Sequence, residues 1–404
     1  MPSESTFLLA GLLFLAAALG YVFARFGDEQ DEDEAADQLS SDYLKGLNYV
    51  LNEEPDRAVE LFTKMAELDD EALETHFALG SLFRKRGEVD RAIRVHQNLM
   101  ARPSLGQAHK EQAEGALAED YLSAGLFDRA EALYRKLCDA PEFRIKARQQ
   151  LLRIYEVTRD WDKAIEVQAE LDRLQKGGKN GGKNSGKNGG PSPSQVAHYY
   201  CELAEQARAE QDVVRAREML KRADGCRNKT VRSLLIRADI EHEVGKHKEA
   251  ARLYRKVIAQ APNLLVDVLP RLAAAYRALG DDKALGAYLG KLVASDEAHT
   301  AAIAMVTVRE ADVDDPAALD ALVRFVAADP TLGQLVGVDR IERAAVDERA
   351  AILDDVRNAL RSIVASKPAY HCSECGYSCL GLQWQCPGCR AWETVRPEVR
   401  IRLT

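Results

Sequence analysis

Between residues 40 and 330 apolar positions recur at helical spacing and at a fixed longer period. A Gly or Ala is followed three residues later by a large side chain and then by a Gly or other turn former. An Ala comes twelve after the first small residue, and an aromatic or Leu four beyond it. Gly46, Tyr49, Ala58 and Phe62 make one copy, and Gly80, Phe83, Gly87 and Ala92 the next. Ala118, Tyr121, Gly125, Ala130 and Tyr134 make another, as do Ala238, Gly245, Ala250, Tyr254 and Pro262. The second small residue is a ruler: Ala58, Ala92, Ala130, Ala164, Ala216, Ala250, Ala284 and Ala318 stand 34, 38, 34, 52, 34, 34 and 34 residues apart. Small residues belong where two helix axes cross, and large apolar ones a turn away fill the gap. The pattern therefore predicts paired helices of about 13 residues joined by tight turns. The 52-residue interval is long by the 18 residues GGKNGGKNSGKNGGPSPS, 177–194, which read as an insertion between repeats. A coil of that length has ends on the order of 25 Å apart.

Two stretches break the amphipathic pattern. From Phe7 to Ala24 the chain runs 18 residues without a charge, enough for a helix of about 27 Å, close to one hydrocarbon core. The preceding MPSEST lacks the Lys or Arg of a signal peptide, so the segment reads as an uncleaved anchor. Arg25 follows it and places the C-terminal part in the cytoplasm by the positive-inside rule. Cys138, Cys201 and Cys226, scattered without bridge-like spacing, fit a reducing compartment. DEQDEDEAAD, with seven acids in ten residues, reads as a solvated spacer.

Composition narrows the options. The 404 residues are 46% hydrophobic, enough for a sizeable core, and eight cysteines are too few for a disulfide scaffold. A net charge of −9 denies the chain the broad positive field of a non-specific nucleic-acid binder. No nucleophile elbow, dinucleotide fingerprint, paired metalloprotease histidines or kinase set occurs, so no enzyme is expected. Gly181 to Lys187 imitates a phosphate-binding loop, but Asn188 stands where the magnesium-binding hydroxyl belongs and no apolar strand precedes it. His242 and His247, read as one continuous helix, would point about 140° apart and could not share a metal.

The strongest chemical signal is near the C-terminus: Cys372 and Cys375, ten residues, then Cys386 and Cys389. Two C-x-x-C knuckles at this separation bring four thiolates around one tetrahedral metal ion, zinc or iron. Four protein ligands leave no open position for water, which favours zinc as a structural ion. Gly376 permits the turn after the first knuckle and Pro387 stiffens the second. Tyr370, Trp384 and Trp392 are expected to form the small core of this region or its packing surface on the last repeats, with His371 and Cys379 as bystanders.

The 34-residue period and its small and aromatic positions resemble the tetratricopeptide repeat, and the cysteine region resembles a short rubredoxin-like domain or zinc ribbon. Arg390 stands where a rubredoxin has a second Gly. The expected fold is all-α, a tetratricopeptide-repeat superhelical solenoid with an N-terminal transmembrane helix and a small rubredoxin-like module. Its expected divisions are an anchor at 1–27, an acidic spacer at 28–38, repeats one to four at 39–176, and the insertion at 177–194. Repeats five to eight with terminal helices follow at 195–365, and the metal module at 366–404. The first helices of such repeats make a wall that binds protein partners, which in the second repeat would include Glu74, Phe77, Ser81 and Arg84.

Anchor, acidic spacer, repeats and terminal C-x-x-C…C-P-x-C, in that order, resemble the lipopolysaccharide assembly protein B family. The resemblance implies a single-pass protein of the inner membrane, its C-terminal part facing the cytoplasm. It implies an adaptor that presents the lipid A pathway deacetylase to a membrane AAA+ metalloprotease, with Cys372, Cys375, Cys386 and Cys389 as metal ligands. The other readings are a rubredoxin-like iron electron carrier on a repeat scaffold and a general tetratricopeptide co-chaperone.

Overall fold

A computed structural model describes residues 42–52, 54–68, 73–103, 105–177, 193–226, 230–309, 315–329, 333–334, 341, 343, 346–365 and 369–398. The expected anchor and acidic spacer, and residues 178–192 of the insertion, lie outside them. Among the described residues no helix is long and apolar enough to cross a membrane. The chain divides into two compact units, Met1–Gly181 and Gly182–Thr404.

The first unit consists of helical hairpins: α1 (42–51) with α2 (Pro55–Leu68), α3 (Leu73–Lys85) with α4 (Val89–Met100), α5 (Gln107–Ser123) with α6 (Phe127–Leu137), and α7 (Arg144–Thr158) with α8 (Trp161–Gly177). The second continues the plan with α9 (Pro193–Ala209) and α10 (Val213–Gly225), α11 (Val231–Glu243) and α12 (His247–Gln260), α13 (Leu265–Leu279) and α14 (Asp282–Ser295), and α15 (Glu297–Arg309) and α16 (Pro316–Ala328). A 3₁₀ turn, η1 (Pro262–Leu264), precedes α13, and α17 (Val346–Ala365) follows the last pair.

The alanine ruler falls on the second helix of every pair. Ala58, Ala92, Ala130, Ala164, Ala216, Ala250 and Ala318 are all 0% exposed, because a methyl group is what fits at each helix crossing. Ala284 on α14 is only half-buried. Five of the first helices carry the matching small residue: Gly46, Gly80, Ala118, Ala204 and Ala238. A Cβ on Gly46 would lie 2.5 Å from Cζ of Phe62, and one on Gly80 2.5 Å from Cε1 of His96.

In six of the hairpins the turn uses one left-handed residue to stop the first helix and release the second. Gly87, Gly125, Gly245 and Gly280 supply it at φ of 80°, 73°, 79° and 65°, but Arg159 (59°) and Gln211 (62°) do the same with a Cβ. Left-handed backbone is strained for any residue with a Cβ, whereas Gly loses more chain entropy on folding. Gln211→Gly should therefore stabilise the second unit by about 0.5 kcal/mol and Gly125→Ala should destabilise the first by about 1 kcal/mol. Urea midpoints of the two variants check both signs.

Among the described residues, helix gives way to strand only near the C-terminal end. There β1 (Tyr370–Cys372) lies between β2 (Ser378–Cys379) and β3 (Val395–Pro397) in a three-stranded antiparallel sheet. Tyr370 pairs with Cys379 on one side and Pro397 on the other, and Cys372 with Val395.

Candidate metal centre

The two cysteine knuckles have the same backbone. In the first, Gly376 N–H donates to the Cys372 carbonyl (3.0 Å) and Cys372 N–H to that of Tyr377 (2.8 Å). In the second, Arg390 N–H donates to Cys386 (2.8 Å) and Cys386 N–H to Ala391 (2.9 Å). Each loop thus closes on itself through a left-handed residue at the same place: Gly376 at φ 73° and Arg390 at 61°. The departure at Arg390 leaves the shape intact, with backbone strain in place of a glycine.

The loops face each other and bring one sulfur atom from each of Cys372, Cys375, Cys386 and Cys389 within 4.8 Å of all the others. Cys372 and Cys389 Sγ are 3.7 Å apart, Cys375 and Cys386 Sγ 3.6 Å. A disulfide would need about 2.05 Å. Four sulfurs at a metal–sulfur distance of about 2.3 Å stand about 3.8 Å apart in a tetrahedron. The donor set therefore fits a single tetrahedral ion, zinc or iron, and includes neither His371 nor Cys379. Gly388 lies close to this centre: a Cβ there would be in van der Waals contact with Cys375 Sγ at 3.4 Å.

Electrostatics agree. The Thr394 hydroxyl, 3.3 Å from Cys372 Sγ, and the Cys375 and Glu374 amides pull that thiol down to about 6. Cys389 goes the other way: the Ala391 amide favours its thiolate, yet the crowded neighbouring sulfurs hold it at about 12. Four thiolates this close repel one another unless a cation lies among them. Outside the centre, burial raises the thiols of Cys138, Cys201 and Cys226, Cys201 to about 12.

The module rests on the last repeats, as its aromatic residues suggested, and reaches further back as well. It packs on first helices from the fifth repeat onward. His198 on α9, 1% exposed, stacks on Trp392 with ring centres 4.7 Å apart and lies 3.3 Å from Glu393, whose carboxyl it holds below the usual range. Arg232 on α11 sits 5.5 Å over the Trp384 ring and pairs with Glu202 at 2.9 Å. Tyr370 donates to Asp267 on α13 at 2.7 Å; burial raises that carboxyl and the tyrosine bond opposes the rise. Arg309 on α15 reaches the Glu398 carbonyl at 3.5 Å. Beside these contacts a cavity of about 200 Å³ opens between Val231, Leu264, Leu382, Trp384 and Arg396. His198 and Arg232 occupy equivalent repeat positions 34 residues apart, with Asp267 one residue past the next. Polar residues at one register of two successive first helices, and beside it on the third, are the signal that marks this seat in the sequence.

Glu74, Phe77, Ser81 and Arg84 all lie on α3, Glu74 exposed and the others half-buried. The Phe77 ring centre is 6.1 Å from that of His96. Arg84 is committed to the next repeat: it donates to Asp120 at 2.5 Å and Glu119 at 3.0 Å, both on α5. The other oxygen of Asp120 meets Nδ1 of His96, so a fully buried carboxylate ties α3, α4 and α5 together. Asp239 on α11 does similar work in the second unit, bonded to Arg208 (3.0 Å), Tyr254 (2.6 Å) and Arg271. His242 and His247 do not share a helix. The first lies at the end of α11 and the second begins α12, and the turn at Gly245 brings their Nδ1 atoms to 3.1 Å. The expected angle of separation fails because the helix it assumed stops between them.

A family profile described as "Rubredoxin metal binding domain" matches residues 370–397, and one described as "Tetratricopeptide repeat" matches 75–110. Lipopolysaccharide assembly protein B of Escherichia coli strain K12 is 35% identical over 395 residues, 96% of this chain and 97% of that protein. The Haemophilus influenzae protein of the same name is 31% identical, over 96% of this chain and 98% of its own. A solved structure of Pseudomonas aeruginosa pilF covers 55% of this chain and 92% of its own at 16% identity, with a TM-score of 0.31.

Proposed function

The chain belongs to the lipopolysaccharide assembly protein B family, and from that premise we propose that it is a membrane-tethered adaptor controlling lipopolysaccharide synthesis. In this reading it holds the lipid A pathway deacetylase for a membrane AAA+ metalloprotease, which degrades it. The observation that carries the reading is the near full-length relation together with the way the module is built. A centre closed by four sulfurs has no position for substrate, so its role is to shape the surface that the module and the repeat helices present. That centre takes zinc, as a structural ion.

The first helices of α1–α8 offer a second wall, with Glu74, Phe77 and Ser81 on it. Phe77 is the natural anchor for an apolar client side chain, since half-buried aromatics contribute large contact area at little entropic cost. The span Phe7–Ala24 supplies the tether and keeps the repeats in the cytoplasm. Holding client and protease on one membrane raises their effective concentration, so degradation accelerates without chemistry by the adaptor itself. Deleting residues 1–27 should leave deacetylase binding within about twofold in pull-down or calorimetry yet abolish control of deacetylase level in cells. Normal control by the soluble part would refute the tether.

A further inference from the structure

Six hairpin turns hold a left-handed residue, and the positions three before it and two after it flank the turn. In five of them these positions hold Arg84 and Val89, Leu122 and Phe127, Glu156 and Trp161, Arg208 and Val213, and Arg277 and Asp282. None of these pairs offers two metal-binding atoms to one point, and the fold closes its turns with any of them. At Gly245 the same geometry brings together two imidazoles, half-buried, with Nδ1 atoms 3.1 Å apart and ring centres 4.8 Å apart at 62°.

We infer that His242 and His247 form a two-imidazole chelate for a first-row divalent metal ion, at the turn between α11 and α12 and separate from the four-cysteine centre. Two imidazole nitrogens bound at about 2.05 Å stand about 2.9 Å apart at a right angle and about 3.3 Å apart in a tetrahedron, and the observed distance lies between. Imidazole nitrogen suits the later ions of the series, Ni²⁺, Cu²⁺ and Zn²⁺, whereas the sulfur-only centre suits Zn²⁺ or iron. The nearby cations are already matched by carboxylates: Lys246 lies 3.8 Å from Glu241 and Arg208 lies 3.6 Å from Glu243. They do not leave the pair in an unbalanced positive field. Among the described residues no third His, Cys, Asp or Glu joins the two within ligand reach. Water completes the shell and the ion stays exchangeable.

With no metal, one Nδ1 carries the proton of the bond between the rings. When the ion binds, that proton moves to Nε2 of the same ring, so both Nδ1 lone pairs face the ion.

The test is a calorimetric titration of Ni²⁺ into the zinc-loaded full chain and into His242→Gln, His247→Gln and the double variant, with circular dichroism to verify folding. A chelate requires both rings. Each single variant should therefore weaken binding at least tenfold, and the double variant no further. Binding within twofold of the intact chain in either single variant, or losses that add in the double, would overturn the chelate. A second readout needs no substitution: in the intact chain, one equivalent of Ni²⁺ should broaden the ring resonances of His242 and His247 together. Broadening of only one, or of neither before the other histidines, would equally overturn it.

Discussion

Cys386→Ser should release the metal ion and unfold residues 369–398 while α9–α16 remain helical. Cys386 is 0% exposed and supplies one of the four sulfurs. The module's own apolar core consists of Tyr370, Cys372, Cys386 and Val395, with Ala369, Cys379 and Leu382 around it. A core of that size cannot offset the chain entropy of thirty ordered residues, whereas structural zinc sites bind with about 10–16 kcal/mol of apparent free energy. Metal binding and folding of the module are therefore one event. Mass spectrometry should find one zinc per intact chain, colourless, and none in the variant, and hydrogen exchange should show protection lost at 369–398 alone. A folded module in the metal-free variant contradicts this coupling. One equivalent of iron with a reversible red colour would point to the electron-carrier reading instead.

Asp120→Ala should cost the first unit about 3 kcal/mol, because it strands the buried ring of His96 and leaves the cation of Arg84 with Glu119 alone. Asp120 and His96 side chains are 0% exposed and Arg84 is 18% exposed, so water cannot take over the lost bonds. Gly80 is part of the arrangement: its missing Cβ is the space into which the His96 ring fits. Against a total stability of about 5–15 kcal/mol for a domain, the loss is a large fraction and should appear as a shift of the urea midpoint. Replacing all three charged or polar partners together, as Arg84→Met, His96→Phe and Asp120→Leu, should recover most of the loss, since the penalty lies in the unpaired members. A loss below about 1 kcal/mol for Asp120→Ala would mean the network carries little of the repeat stacking.

Much of the fold was legible because tetratricopeptide-like packing is local. Each alanine of the ruler packs against a helix less than one repeat away, so a single-sequence period carries the contact. The metal ligands were legible for the same reason, two short knuckles with fixed internal spacing. What the sequence concealed is long-range or local in a different sense. Tyr370 meets Asp267 across 103 residues, and no periodicity links them. His96 occupies the place where the pattern puts an aromatic or Leu, and its partner Asp120 sits in the next repeat, so the pair looks like two unrelated surface residues until the helices stack. The His242 and His247 reading failed at a boundary, because Gly245 ends the helix between them, although its glycine was already part of the repeat pattern.

The most direct test of the adaptor is the lifetime of the lipid A pathway deacetylase in cells that carry the intact chain, Cys386→Ser, or no chain at all, with the membrane protease present throughout. The account predicts rapid turnover with the intact chain and an equally prolonged lifetime in the other two. Turnover that is the same with and without the chain would contradict it.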